Sequence, residues 1–151
     1  MFDGCSKLAL VRGISFPKAE NWFAFFRNCK SIEVIDHFDC QGAKSLSSCF
    51  ECHSGGGSLI SLQAIPAGLL TIADNVLSGQ TKLVDFGGFT GMSTSFSLSS
   101  CPALSRASLL AVLDGLARVS GETTLTLGAA NRSKLTEEEL QTAVDKGWTV
   151  L

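Results

Sequence analysis

The segment Cys49-Phe50-Glu51-Cys52-His53 gathers more chemically capable side chains than any other stretch of this 151-residue chain. It spells C-x-x-C-H, the string through which c-type haem is attached by two thioether bonds and an axial imidazole. Haem would also need a second axial ligand and an apolar pocket, and the only other histidine is His37, with Met92 the only late methionine. A zinc site needs four ligands in suitable geometry. Cys49, Cys52 and His53 could supply three, with Cys40 nearby in sequence, but no second close pair exists. A haem- or metal-binding protein using this segment is therefore the alternative reading of the chain.

Other chemistry is thinner. Gly55-Gly56-Gly57 lacks the following lysine of a phosphate loop, and Gly87-Gly88-x-x-Gly91 fails for the same reason. Two histidines leave few options for a general base. Asp36 and Asp39 read as solvated turn residues rather than a catalytic pair. No catalytic residue, cofactor site or metal site is assigned, and the chain reads as non-enzymatic.

Composition narrows the classes further. Hydrophobic residues make up 45% and charged residues 17%, which argues against disorder. The net charge is −2 and no run of Lys or Arg forms a stripe, so no nucleic-acid partner is expected. No apolar stretch approaches the roughly 20 residues of a membrane helix, so no membrane insertion is expected. Met1-Phe2-Asp3-Gly4-Cys5 lacks the basic-then-apolar pattern of a secretory signal.

The elements that must position any site follow from self-similarity. A three-residue apolar spacing occurs as Leu8, Val11, Ile14, then Ile32, Ile35, Phe38, then Leu59, Leu62, Ile65, then Leu83, Phe86, Phe89. The steps are 24, 27 and 24 residues, and three glycines, Gly55 to Gly57, account for the longer one. A second column, six residues ahead, holds Phe2, Phe26 and Leu77, joined by Phe50 once the glycine insertion is discounted. One unit of about 24 residues cannot bury its own apolar edge, whereas a stack of them can. The expectation is an α/β solenoid with short strands over Lys7–Ile14, Ser31–Phe38, Ser58–Ile65 and Lys82–Phe89 on one face. Trp22–Cys29, Ser45–Cys52 and Ile72–Ser78 are expected as short helical or 3₁₀ returns. In this register Cys49 shares a column with Met1 and Phe25, and His53 aligns with Cys5 and Cys29. The six cysteines are accordingly expected to be mainly reduced and buried, and deletion of Gly55 to Gly57 to be tolerated.

Phe2-x-x-Cys5-x-x-Leu8-x-x-Val11 and Phe26-x-x-Cys29-x-x-Ile32-x-x-Ile35 resemble the BspA-like leucine-rich repeats of bacterial surface proteins. The asparagine common at one turn of other leucine-rich families is absent, which fits this variant. The resemblance covers roughly residues 1–90. The tail, through Ser105–Leu116, Leu125-Thr126-Leu127-Gly128 and Lys134 to Trp148, is similar to the ends of such proteins, phage and gut-bacterial members included. It implies an extracellular or cell-surface setting, with attachment, host-protein binding or a virion role.

Residues 1–104 are read as the repeat stack and residues 105–151 as a C-terminal α/β cap continuous with it. Ser105 caps a helix whose Leu109, Leu110, Val112, Leu113 and Leu116 make an apolar face. Thr123–Leu127 reads as a strand. Thr136 to Glu139 forms a capping box, Leu140 and Val144 face inward, Gly147 ends the helix, and Trp148–Leu151 gives a last strand. Between the inward triplets, one column displays Leu10, Val34, Ser61 and Asp85, and the next Arg12, Asp36, Gln63 and Gly87. Leu10, Arg12, Val34, Asp36, Ser61, Gln63 and Asp85 are the candidate partner-binding residues for a protein or glycan. The N-terminal end starts inside the apolar columns with no capping helix, so self-association through the first unit is also expected.

Overall fold

The computed structural model describes residues 1–53 and 55–151. Pairs of two-residue strands recur along the first ninety residues: β1 (Leu10–Val11) and β2 (Ile14–Ser15), β3 (Val34–Ile35) and β4 (Phe38–Asp39), β5 (Ser61–Leu62) and β6 (Ile65–Pro66), β7 (Asp85–Phe86) and β8 (Phe89–Thr90). The first member of each pair joins one parallel ladder in the order β1-β3-β5-β7. Its register is Leu10↔Val34↔Ser61↔Asp85 and Val11↔Ile35↔Leu62↔Phe86. The second members pair as β2-β4 and β6-β8. The two residues between the paired strands carry the chain round a corner, so Val11, Ile35, Leu62 and Phe86 point inward while the residue ahead of each is left towards solvent.

The expected helical returns are absent. Residues 23–28 and 47–50 run as linked turns, because each return carries a residue in the left-handed region: Ala24 (φ 51°), Ser48 (φ 54°) and Asn75 (φ 54°), with Asn28 (φ 57°) in addition. Such a residue ends right-handed helical winding. Alternate backbone N–H groups then donate to the next turn of chain instead of to their own. Trp22, Ala24, Phe26 and Asn28 donate to the carbonyls of Ser45, Ser47, Cys49 and Glu51 at 2.7–3.1 Å, and Leu46, Ser48, Phe50 and Cys52 to those of Ile72, Asp74, Val76 and Ser78 at 2.8–3.1 Å. No local periodicity announces this, since apolar spacing of three to four residues serves a turn ladder as well as a helix.

Aromatic rings fill the interior. Phe2, Phe26 and Phe50 stack with centroids 5.5 and 5.8 Å apart and planes within 8° and 15°. Phe38 meets Phe50 edge-on at 5.2 Å, and Trp22 meets Phe38 at 4.9 Å. Each such pair adds about 0.5–1.5 kcal/mol beyond its burial. Cys29, Cys40, Cys49, Cys52 and Cys101 are buried among them, whereas Cys5 is exposed, a correction to its expected burial.

Past residue 95 come β9 (Phe96–Ser97), α1 (Arg106–Asp114), β10 (Thr123–Thr126), α2 (Ala129–Arg132), α3 (Glu137–Val144) and β11 (Trp148–Val150). The strands β11-β10-β9 form a parallel sheet. Ser105 accepts the Ser108 N–H as the N-cap of α1, and Thr136 and Glu139 form the reciprocal capping box of α3. Gly147 sits at φ 91°, where a side chain would be strained. The inward residues of α3 are Leu140 and Ala143; Val144 is 47% exposed, correcting its expected inward orientation. The short helix α2 has no counterpart in the sequence reading.

Candidate functional site

Three turns of chain and one helix terminus shape a broad depression on the surface. It is a groove of about 490 Å3 bounded by Val34, Asp36, Ser61, Gln63 and Asp85 on the ladder and by Ser105, Ala107 and Ser108 at the start of α1. The ladder positions come from the corner geometry: the residue before each inward position of β3, β5 and β7 faces out, and so does the residue after. The α1 contribution comes from a continuation of the ladder. Ile60 N–H donates to Glu33 O at 2.8 Å and Val84 N–H to Ile60 O at 3.0 Å; Ser105 N–H then donates to Val84 O at 2.9 Å. Ser108 completes the closure. Its hydroxyl donates to Val84 O at 3.0 Å, as a second donor beside the Ser105 N–H, and accepts the Phe86 N–H at 2.8 Å on the outer edge of β7.

Within the groove, Asp36 and Asp85 are exposed carboxylates on different turns of chain, and neither enters an ion pair among the described residues. Some acids elsewhere are paired, among them Asp3 with Arg27 at 2.5 Å, Glu20 with Lys44 at 2.8 Å, and Glu139 with Arg106. Asp36 and Asp85 thus place two negative charges where the surface is concave. Gln63 is held by its amide, which donates to Phe38 O at 3.0 Å and so leaves its side-chain oxygen for other partners. Ser61 is half-buried beside it, and Val34 gives the floor an apolar patch.

Five of the seven residues expected to meet a partner thus line one groove. Leu10, 53% exposed, and Arg12 share its ladder columns but lie one turn further on, outside the lining. The sequence reading missed Ser105, Ala107 and Ser108. A signal existed in the Ser105 N-cap, but only the ladder bond to Val84 O shows that the cap begins where the next strand would lie.

The C-x-x-C-H segment has a different geometry. Cys49 is enclosed by the core, Cys52 and Phe50 are buried, and the His53 side chain stands 61% exposed with its Nε2 3.8 Å from Glu51 Oε2. Burial holds the Cys49 thiol well above the ordinary thiol range. The internal cavity beside Phe50 is about 10 Å3, room for a single water. Among the described residues no three His, Cys, Asp or Glu side chains stand close enough to hold a metal ion.

A further depression of about 440 Å3 lies on the return side, lined by Asp74, Asn75, Ser95, Phe96, Ser97, Thr124 and Thr126. Among the described residues, no helix is long and apolar enough to cross a membrane. No protein-family model, no curated protein and no solved structure matches the chain.

Proposed function

We propose that this chain is a non-enzymatic binding module of the leucine-rich solenoid type, and that the groove between its strand ladder and α1 takes a protein segment carrying basic side chains. The observation that carries this reading is the presence of two carboxylates, Asp36 and Asp85, without an ion pair among the described residues, in one groove of the surface. Charge of one sign in a cleft concentrates ligands of the other sign. An extended chain also suits the site. Its main-chain groups can meet the Gln63 oxygen and the Ser61 and Ser105 hydroxyls, while aliphatic stems of Lys or Arg cover Val34 and Ala107. A glycan is the less favoured ligand, because the aromatic side chain in the lining, Phe86, is 2% exposed and offers no open ring face for a sugar to stack on.

A fluorescein-labelled peptide alternating lysine and serine tests the reading by anisotropy. Binding is expected, weakened about tenfold or more in the double variant Asp36→Asn/Asp85→Asn, since a charge-assisted hydrogen bond contributes about 1.5–3 kcal/mol. Equal binding by the double variant and the unchanged chain would overturn it.

A second contact region is proposed at the first unit. Met1, Phe16, Ala19, Asn21, Trp22 and Phe25 surround an almost wholly apolar hollow of about 210 Å3, and Met1 and Phe16 are exposed there. Self-association through this end predicts a sedimentation coefficient that rises with concentration and falls back in Phe16→Ser. A strict monomer at all concentrations would remove it.

A further inference from the structure

We propose that Cys5 and Cys29 are a reactive pair that closes into a disulfide between the first two turns of chain on exposure to a small-molecule disulfide. The two residues are 24 apart, the spacing at which β1 pairs with β3. Three contacts fix the same register around them: Phe2 N–H donates to Phe25 O at 2.8 Å, Gly4 N–H to Arg27 O at 2.8 Å, and the Ser31 hydroxyl to Ser6 O at 2.6 Å. Adjacent strands in such a ladder lie about 4.8 Å apart, inside the 4.4–6.8 Å Cα separation that a disulfide spans.

The sulfur is also on the correct side. A single acceptor, the Phe2 carbonyl oxygen, receives both the Cys5 N–H at 3.0 Å and the Cys29 thiol at 2.9 Å. Cys29 therefore points out of its own turn of chain and towards Cys5. The first turn is bonded on one side only, as β1 ends its ladder, so it can shift by the small distance that an S–S bond requires.

The two thiols divide the chemistry between them. Cys5 is exposed and meets the oxidant first. Its thiolate attacks one sulfur of a disulfide RSSR, forming Cys5–S–SR and expelling RS⁻, which takes up the proton Cys5 lost. Cys29, buried and with its thiol raised to about 11, is a poor target for the reagent itself. Once deprotonated, it attacks the Cys5 sulfur and expels the second RS⁻. The net change is two thiols and RSSR giving Cys5–S–S–Cys29 and two RSH. The other buried cysteines lack an exposed partner at their position in the neighbouring turn.

The test is incubation of the chain with oxidised glutathione at pH 8.5, acid quenching and non-reducing tryptic mass spectrometry. The expected product joins peptide Met1–Lys7 to peptide Asn28–Lys30, and disappears with dithiothreitol and in Cys5→Ser. Amide exchange over residues 1–16 is expected to slow about tenfold or more in the oxidised chain, because a cross-link of this loop length constrains the opened state. Three products would each overturn the proposal: glutathione retained on Cys5 with Cys29 free, Asn28–Lys30 joined to Ser45–Lys82, which carries Cys49 and Cys52, or Cys5 joined to Cys5 of a second chain. Cys5→Ser alters an exposed position, so the variant folds and its Cys29 should remain a free thiol under the same treatment.

Discussion

Gln80 and Gly57 show how one residue decides whether a neighbouring turn of chain fits. The Gln80 amide donates to Phe50 O at 2.5 Å and to Cys52 Sγ at 3.4 Å, while its own oxygen is buried without a hydrogen-bond partner among the described residues. That oxygen lies against Gly57, where a Cβ would overlap it, and Gly57 N–H donates to Gly79 O at 2.8 Å. The inserted glycines were expected to form a dispensable bulge. Gly57 instead belongs to the packing, so deleting Gly55 to Gly57 is expected to destabilise. Gly57→Ala should cost about 1–3 kcal/mol through overpacking, read from urea unfolding; a change under about 0.5 kcal/mol would refute the contact. The buried thiols give a pH signature. Burial raises Cys29 to about 11 and Cys40 and Cys101 to about 12, from an ordinary 9.0. Groups raised in the folded state leave stability intact below the unfolded value and remove it as pH climbs through the folded one. Thermal midpoints should therefore be flat from pH 7 to about 9 and fall steadily towards 12. A midpoint unchanged at pH 11 would contradict this.

At the scale of elements, the ladder needs an end. A bare strand edge exposes unpaired N–H and C=O groups, and α1 covers β7 by placing the Ser108 hydroxyl between Val84 O and Phe86 N–H. Ser108→Ala leaves the Phe86 N–H unpaired, while Val84 O keeps only the Ser105 N–H. It is expected to cost about 1–3 kcal/mol, with amide exchange at Phe86 accelerated and the N-terminal strands unaffected; uniform acceleration along the chain would point to a general loss of packing. The elements also show what the sequence made legible. The apolar triplets located the strands because burial forces the same residue types at the same spacing in each turn of chain. The N-cap of α1 and the capping box of α3 were legible because short-range hydrogen bonds write themselves into residue type. The form of the returns was not, since left-handed backbone at Ala24 and Ser48 follows from bonds to residues 23–26 positions away. Two of the seven candidates from the outward columns, Leu10 and Arg12, missed the groove because its outer wall is α1, at the opposite end of the ladder from β1.

At the scale of the whole molecule, one end of the ladder is closed by α1 and the other, at β1, remains an edge beside exposed Met1 and Phe16. The groove sits at the closed end, where the ladder bond from Ser105 to Val84 holds its walls at a fixed separation. A rigid wall matters for binding, because little ordering cost is left for the ligand to offset. This groove is the proposed binding surface. Titrating 15N-labelled protein with the lysine–serine peptide and following amide shifts tests it most directly. The account predicts perturbations concentrated at 34–36, 61–63, 85–87 and 105–108, saturating together. Perturbations centred instead on residues 1–25, or on 74–75, 95–97 and 124–126, would contradict it, as would a spectrum that the peptide leaves unchanged.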